Sequence, residues 1–153
     1  MMVLVNYKRM VLIMKKDVAI SIKGISLNAQ DRDVIEIFTT GEYYKKDGNY
    51  YIRYNETEAT GFDGASTTLE IFENCVVLSR SKPAASQLVI ERGVRHQCHY
   101  DTGAGDFMIG IMGSRIKSSL TDAGGNLELK YSMDINSMLT SENEMYIHVK
   151  ELA

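Results

Sequence analysis

Proline, cysteine and long apolar runs are all scarce in this chain. There is one proline, Pro83, among 153 residues, and 44% of the residues are hydrophobic. Disordered chains are enriched in proline and poor in apolar residues, so this composition belongs to a folded domain. Two cysteines, Cys75 and Cys98, are too few for a disulfide framework. They read as reduced thiols of a cytoplasmic protein. No apolar run reaches the roughly 20 residues of a helical membrane span. The opening "MMVLVNYKRMVLIMKK" comes nearest, but Asn6, Lys8 and Arg9 divide it. The same division denies it the apolar core of about 7–15 residues that a signal peptide needs.

Cationic charge is short as well. Residues 1–53 hold 9 Lys and Arg against 6 Asp and Glu, giving +3, whereas residues 54–153 hold 8 against 14, giving −6. A nucleic-acid surface needs a cationic patch to displace counterions from phosphates. None is visible beyond Arg53, so neither nucleic acid nor membrane is an expected partner. "TGAGDFMIG" contains Gly103 and Gly105 but lacks the third glycine and the following helix of a dinucleotide fingerprint. Nucleophile-elbow, phosphate-loop and zinc-protease motifs are missing too. The expectation is a protein without cofactor and without enzymatic activity.

What is present is a period of two. "DVAISIKG" sets Val18, Ile20 and Ile22 against Ala19, Ser21 and Lys23. The alternation returns in "RDVIEIFTTGEYY", "NYYIRYNE", "STTLEIFE", "CVVLSRS", "SQLVIER", "VRHQCHYD", "FMIGIMGSRI", "NLELKYSMDI" and "MYIHVKEL", ten strand candidates in all. No segment keeps a helical period; at most a helical turn fits Ser118 to Thr121. A sheet this large must close or fold over to remove its edges. The expected fold is all-β, an antiparallel up-and-down closed barrel of about 8–10 strands, with a β-sandwich as the alternative. Residues 14–153 form one domain on this reading. Residues 1–13 are an N-terminal extension, with Met14 read as the biological start. The competing reading makes "MVLVNY" or "RMVLIM" an extra strand that joins the sheet or a partner.

"GEYYKKDGNYYIRY" is a hairpin whose turn is Asp47-Gly48, a pair that accepts positive φ at both positions. Paired residue numbers then sum to 95. Tyr44 faces Tyr51, and Glu42 faces Arg53, on the outside. Tyr43, Tyr50, Ile52 and Tyr54 point inward, where each phenol needs a hydrogen-bond partner.

Several phrases together carry a family resemblance: "MKKDVAISIKG", "GEYYKKDGNYYIRYNETEATG", "TTLEI", "SQLVIERGVRH" and "GGNLELKYSMDIN". In this order they resemble the YwiB-like family of small bacterial proteins of unknown function. The resemblance runs from Met14 to the C-terminus. It implies a calycin-type, lipocalin-like barrel and brings no catalytic or binding residues with it. Residues 1–13 fall outside the family pattern.

Three constellations remain. In "RHQCH", His96 and Cys98 share one strand face and His99 takes the other, which supplies too few ligands on one side for a zinc site. Glu56 with Glu58, and Asp31 with Asp33, are acid pairs at strand ends, where surface carboxylates are common. Arg80 follows Val76 and Leu78 on one face, and Arg115 follows an Ile- and Met-rich strand. The simpler placement points Arg80 to solvent and lets methionines fill the core. The alternative lines an interior with Tyr43, Tyr50, Tyr54, Arg80 and Arg115, suited to a small amphipathic carboxylate. The functional expectation is thus a cytoplasmic barrel that binds such a ligand. The alternative is a self-associating module, a homodimer or a protein-interaction domain without a ligand.

Overall fold

The computed structural model describes residues 2–6, 11–102 and 105–152, and side chains from Met14 onward. Gly103, in the expected glycine-containing loop, lies outside the described residues. Two short strands come first, β1 (Met2–Asn6) and β2 (Val11–Met14). They pair with each other, antiparallel, as a separate two-stranded sheet.

Ten strands follow: β3 (Lys16–Leu27), β4 (Arg32–Lys46), β5 (Asn49–Asn55), β6 (Ser66–Ile71), β7 (Cys75–Arg80), β8 (Ser86–Glu91), β9 (Arg95–Asp101), β10 (Asp106–Ser118), β11 (Gly124–Ile135) and β12 (Met138–Glu151). Each pairs antiparallel with its neighbours in sequence, and β12 closes onto β3. The barrel is therefore closed, all-antiparallel and up-and-down, with ten strands. Among the described residues the one helical segment is a 3-10 turn, Glu58–Thr60, between β5 and β6. This corrects the expectation of a turn near Ser118 to Thr121. Ser118 ends β10, and the chain to Thr121 is not helical.

The period of two becomes an inside and an outside. Val18, Ile20 and Ile22 on β3, Leu69 and Ile71 on β6, Val76 and Leu78 on β7, and Leu127 and Leu129 on β11 meet in one buried core. The β4–β5 hairpin has the expected register, with Tyr43 opposite Ile52 and Tyr44 opposite Tyr51. Asp47 and Gly48 both have positive φ, 51° and 83°, as their turn requires. On the outside Tyr44 and Tyr51 stack with centroids 4.9 Å apart, and Arg53 pairs with Glu42 at 3.4 Å. Gly41 is needed for close approach. A Cβ there would collide with the Arg53 carbonyl and lie 2.7 Å from Ile20 Cδ1.

Strand lengths make the two ends of the barrel unequal. β4 pairs with β5 only over Gly41–Lys46. Its first part, residues 32–40, continues past the end of β5 with β3 as its partner. That overhang turns Ile35 and Ile37 into the wall of an open mouth.

Candidate functional site

Successive strands carry one polar row around the interior near this mouth. Tyr54 on β5 is register partner of Thr67 on β6, Thr67 of Arg80 on β7, and Arg80 of Ser86 on β8. Apolar alternation in each strand places the row one layer above Ile52, Leu69, Leu78 and Leu88. Tyr54, Thr67 and Arg80 of this row border a cavity of about 400 Å³ whose walls also include Ile35, Ile37, Tyr100, Tyr131, Met133 and Met145.

Arg80 is buried, at 8% exposure. The outward placement expected as the simpler one is thereby overturned: residue 80 shares the inward parity of Val76 and Leu78, and backbone acceptors at the strand end hold its head group. Nε donates to the Ala84 carbonyl at 2.8 Å. Nη2 donates to Ser86 Oγ at 3.0 Å and to the Asp101 carbonyl at 2.8 Å. The Phe62 ring covers the guanidinium at 3.5 Å from the ring centre, and Tyr100 stands at 5.3 Å. Among the described residues Arg80 has no ion pair. Nη1 bonds to none of them, and no fully buried side-chain N or O atom among them lacks a partner. Nη1 is therefore not sealed from solvent, and Arg80 is among the residues that line the cavity.

Glu56 is the second charge of the site, also 8% exposed. Its Oε1 accepts from Thr67 Oγ1 at 2.5 Å and its Oε2 from Thr60 Oγ1 at 2.7 Å. These bonds tie the 3-10 arm to β6 and so carry Phe62 to Arg80. Burial first, then the Glu56 carboxylate, pushes the Tyr54 phenol above its ordinary range; Thr67 and Arg80 pull the other way. The expected pairing of Glu56 with Glu58 on a strand face is corrected. β5 ends at Asn55, and Glu58 begins the 3-10 turn, exposed.

The five expected site residues do not meet. Tyr54 and Arg80 line the mouth. Tyr43 and Tyr50 belong toward the opposite end, stacked with centroids 5.2 Å apart. The Tyr43 hydroxyl donates to the Thr121 carbonyl at 2.7 Å, and the Tyr50 hydroxyl to Asp122 at 2.6 Å. Arg115 is outside the barrel and bonds Glu128 through Nε at 3.0 Å. A register shift between Gly113 and Arg115 turns its side chain outward. In "RHQCH", His96 faces Glu91 at 2.9 Å and His99 faces Asp106 at 3.1 Å. Cys98 is buried, and burial raises its thiol pKa. No group of three or more His, Cys, Asp or Glu among the described residues is placed to hold a metal ion.

Phe62, Tyr100, Tyr131 and Asn143 were not singled out in the sequence, and Glu56 was singled out only as half of an acid pair. Parity could have found two of them, since Tyr100 follows Cys98 and Tyr131 follows Leu127 and Leu129 on inward faces.

A sequence profile decides the family. The one described as "Domain of unknown function (DUF1934)" matches residues 20–147. The chain belongs to the DUF1934 family. The matched stretch runs from β3 to β12 and so contains the strands that wall the cavity. A curated relative is the "Uncharacterized beta-barrel protein YwiB" of Bacillus subtilis (strain 168). It is 25% identical over 118 residues, covering 77% of this chain and 82% of that protein. The crystal structure of the ywiB protein from Bacillus subtilis superposes with a TM-score of 0.79 at 20% identity, covering 91% of this chain and 94% of that one. The YwiB-like resemblance of the sequence and the expected closed antiparallel barrel of about 8–10 strands are both upheld, with ten strands found. No helix of the described residues is long and apolar enough to cross a membrane.

Proposed function

We propose that the barrel is a non-catalytic binding protein whose mouth holds a small amphipathic carboxylate. The observation that carries this reading is Arg80, a buried guanidinium that lines the cavity, with no carboxylate partner among the described residues and with Nη1 left without a hydrogen-bond acceptor there. A buried charge is costly unless paired, and a ligand carboxylate supplies the pairing. Ile35, Ile37, Met133 and Met145 offer the apolar wall for its tail, and methionine adapts to varied shapes. Closed small barrels that open at one end, lipocalins among them, hold ligands in this way, a likeness of shape only. The free thiols Cys75 and Cys98 suit a reducing cytoplasm.

Calorimetric titration with octanoate tests the reading. Binding is expected below millimolar ligand. Arg80→Gln should lose about 1.5–3 kcal/mol, roughly ten- to a hundredfold in affinity. No binding by the wild type, or equal binding by the variant, rejects it.

A second reading has one observation behind it. The overhanging part of β4, residues 32–40, has a strand partner on one side only, and it carries exposed Val34, Ile35 and Phe38, the last 79% exposed. A free apolar edge is a template for strand addition. Self-association through this edge predicts a dimer by native mass spectrometry that Phe38→Asp dissociates; a monomer at all concentrations removes it.

A further inference from the structure

The wall opposite Arg80 is polar but uncharged. Around the closed barrel the strands follow the order β10, β11, β12, β3, β4, β5, β6, β7, β8, β9. β7 is then four places from β3 and five from β12, which is halfway around. On that far wall Tyr131 on β11 is register partner of Asn143 on β12, and Asn143 of Ser26 on β3. This second row lines the same cavity as the row of Arg80.

Its polar atoms are in need of partners. Asn143 Nδ2 donates to Ser141 Oγ at 2.9 Å, which leaves the amide oxygen without a donor among the described residues. The Ser26 and Tyr131 hydroxyls bond to none of them either. None of these atoms is sealed from solvent, because no fully buried side-chain N or O atom among the described residues lacks a partner, and all three residues line the cavity. Burial pushes the Tyr131 phenol up to about 12, so it is a neutral donor at ordinary pH. Met133, Met145, Ile35 and Ile37 line the same cavity. A ligand that spans it therefore meets a cation on one wall and a hydroxyl–amide–hydroxyl row on the other, with apolar surface beside them.

We propose that the cavity takes a carboxylate that carries a neutral oxygen group, a hydroxyl or carbonyl, at its far end, and discriminates against the plain fatty acid. The inference rests on the reading of Arg80 as the carboxylate anchor. A hydroxyl fits best, since it can donate to the Asn143 oxygen and accept from Tyr131 or Ser26. A plain alkyl end leaves those three groups without their water and without a replacement, which is the penalty that makes polar sites selective.

The test is a calorimetric series of unbranched carboxylates from hexanoate to dodecanoate, each beside its ω-hydroxy analogue. At the best-fitting length the hydroxy acid should bind on the order of tenfold more tightly than the plain acid. The double variant Ser26→Ala, Tyr131→Phe should erase that preference, because the plain acid then strands fewer polar groups and binds more tightly while the hydroxy acid loses two of its partners. Arg80→Gln should weaken both series alike. Equal affinity of the two series at every length, with both still sensitive to Arg80→Gln, overturns this inference and leaves the carboxylate reading standing. A preference that survives the double variant also overturns it, as does tighter binding of an ω-ammonium analogue. Absence of binding by both series overturns both readings together.

Discussion

The guanidinium carbon of Arg80 lies 3.5 Å from the centre of the Phe62 ring, so one face of a buried cation is roofed by a residue of the 3-10 arm. The arm reaches that place because Thr60 and Thr67 both donate to Glu56. A roof over the cation keeps water from it and strengthens whatever charge-assisted bond Nη1 makes. Phe62→Ala should lower stability by about 0.5–2 kcal/mol, the range for a cation over a ring. It should also weaken octanoate binding, less than Arg80→Gln does. Urea melts and calorimetry read the two effects; a variant unchanged in both would show that Phe62 only rests on the surface.

Glu56 should matter through folding. Glu56→Ala removes the acceptor of two hydroxyls, one of them on fully buried Thr67. An unsatisfied buried donor costs about 1–3 kcal/mol, so the variant should lose at least that much. Glu56→Gln keeps one acceptor oxygen and should fall between the two in urea-melt midpoint. Equal midpoints for wild type and Glu56→Ala would contradict the tether.

Much of this architecture could be read before any coordinates. Ten strands, the Asp47-Gly48 turn, the Tyr43–Ile52 register and the inward face of β3 all follow from a period of two and one turn signal. These are local regularities, and each is repeated over several residues. Arg80 shows where local reading stops. Parity placed it on the face of Val76 and Leu78, yet arginine is usually solvated, and only the backbone carbonyls of Ala84 and Asp101 make burial tolerable. Arg115 fails for another reason: a register shift two residues before it reverses the faces, and no residue type there announces the shift. The tether at Glu56 and the place of Phe62 were invisible because their partners come from the curl of a loop. Tyr43 and Tyr54 share a face, but facing inward does not say toward which end a long side chain leans.

Tyr43 is 1% exposed, and its hydroxyl donates to the Thr121 carbonyl. That carbonyl also accepts from Gly124 N at 3.0 Å, so it keeps one partner if the phenol is lost. Tyr43→Phe should therefore cost about 0.5–1.5 kcal/mol, the net worth of one hydrogen bond. Tyr43→Ala adds a cavity and should cost about 3–5 kcal/mol, the range for losing a buried aromatic ring. Equilibrium unfolding of the two variants checks both the order and the gap.

Removal of residues 1–13 should leave the barrel standing. β1 and β2 pair with each other, and the barrel register begins at Lys16 opposite Tyr43. The deletion keeps Met14, which lines a small cavity with Tyr43 and Tyr50. The melting midpoint should move by less than about 2 °C, a shift of well under 1 kcal/mol for a domain of this size. A drop of many degrees would make the β1–β2 pair a structural support of the barrel.

Alkaline pH should unfold this protein through its phenols. Seven of the nine tyrosines are held above the ordinary phenol range: Tyr43, Tyr44, Tyr50, Tyr51, Tyr54, Tyr131 and Tyr146. For Tyr50 the leading cause is the bond it donates to the Asp122 carboxylate, which pushes it up to about 12. A phenol whose folded pKa lies above its unfolded value of about 10 contributes its full stability below pH 10. That contribution is lost as pH rises through the folded pKa, because the unfolded chain releases its protons first. The stability of the wild type should thus decline from about pH 10 and keep falling past 12. The same bond holds Asp122 below the usual carboxylate range. Its contribution is present above that range and is lost as pH falls through the depressed value, so the Tyr50–Asp122 pair weakens at both extremes. Tyr50→Phe removes the donor and should flatten the alkaline slope and shift Asp122 upward. Phenolate absorbance gives an independent readout: folded protein should ionise most of its tyrosines well above the titration of the urea-unfolded chain. Coincident folded and unfolded titrations would show that these phenols are free in solution, and the hydrogen bonds from Tyr50 and Tyr43 would then not persist there.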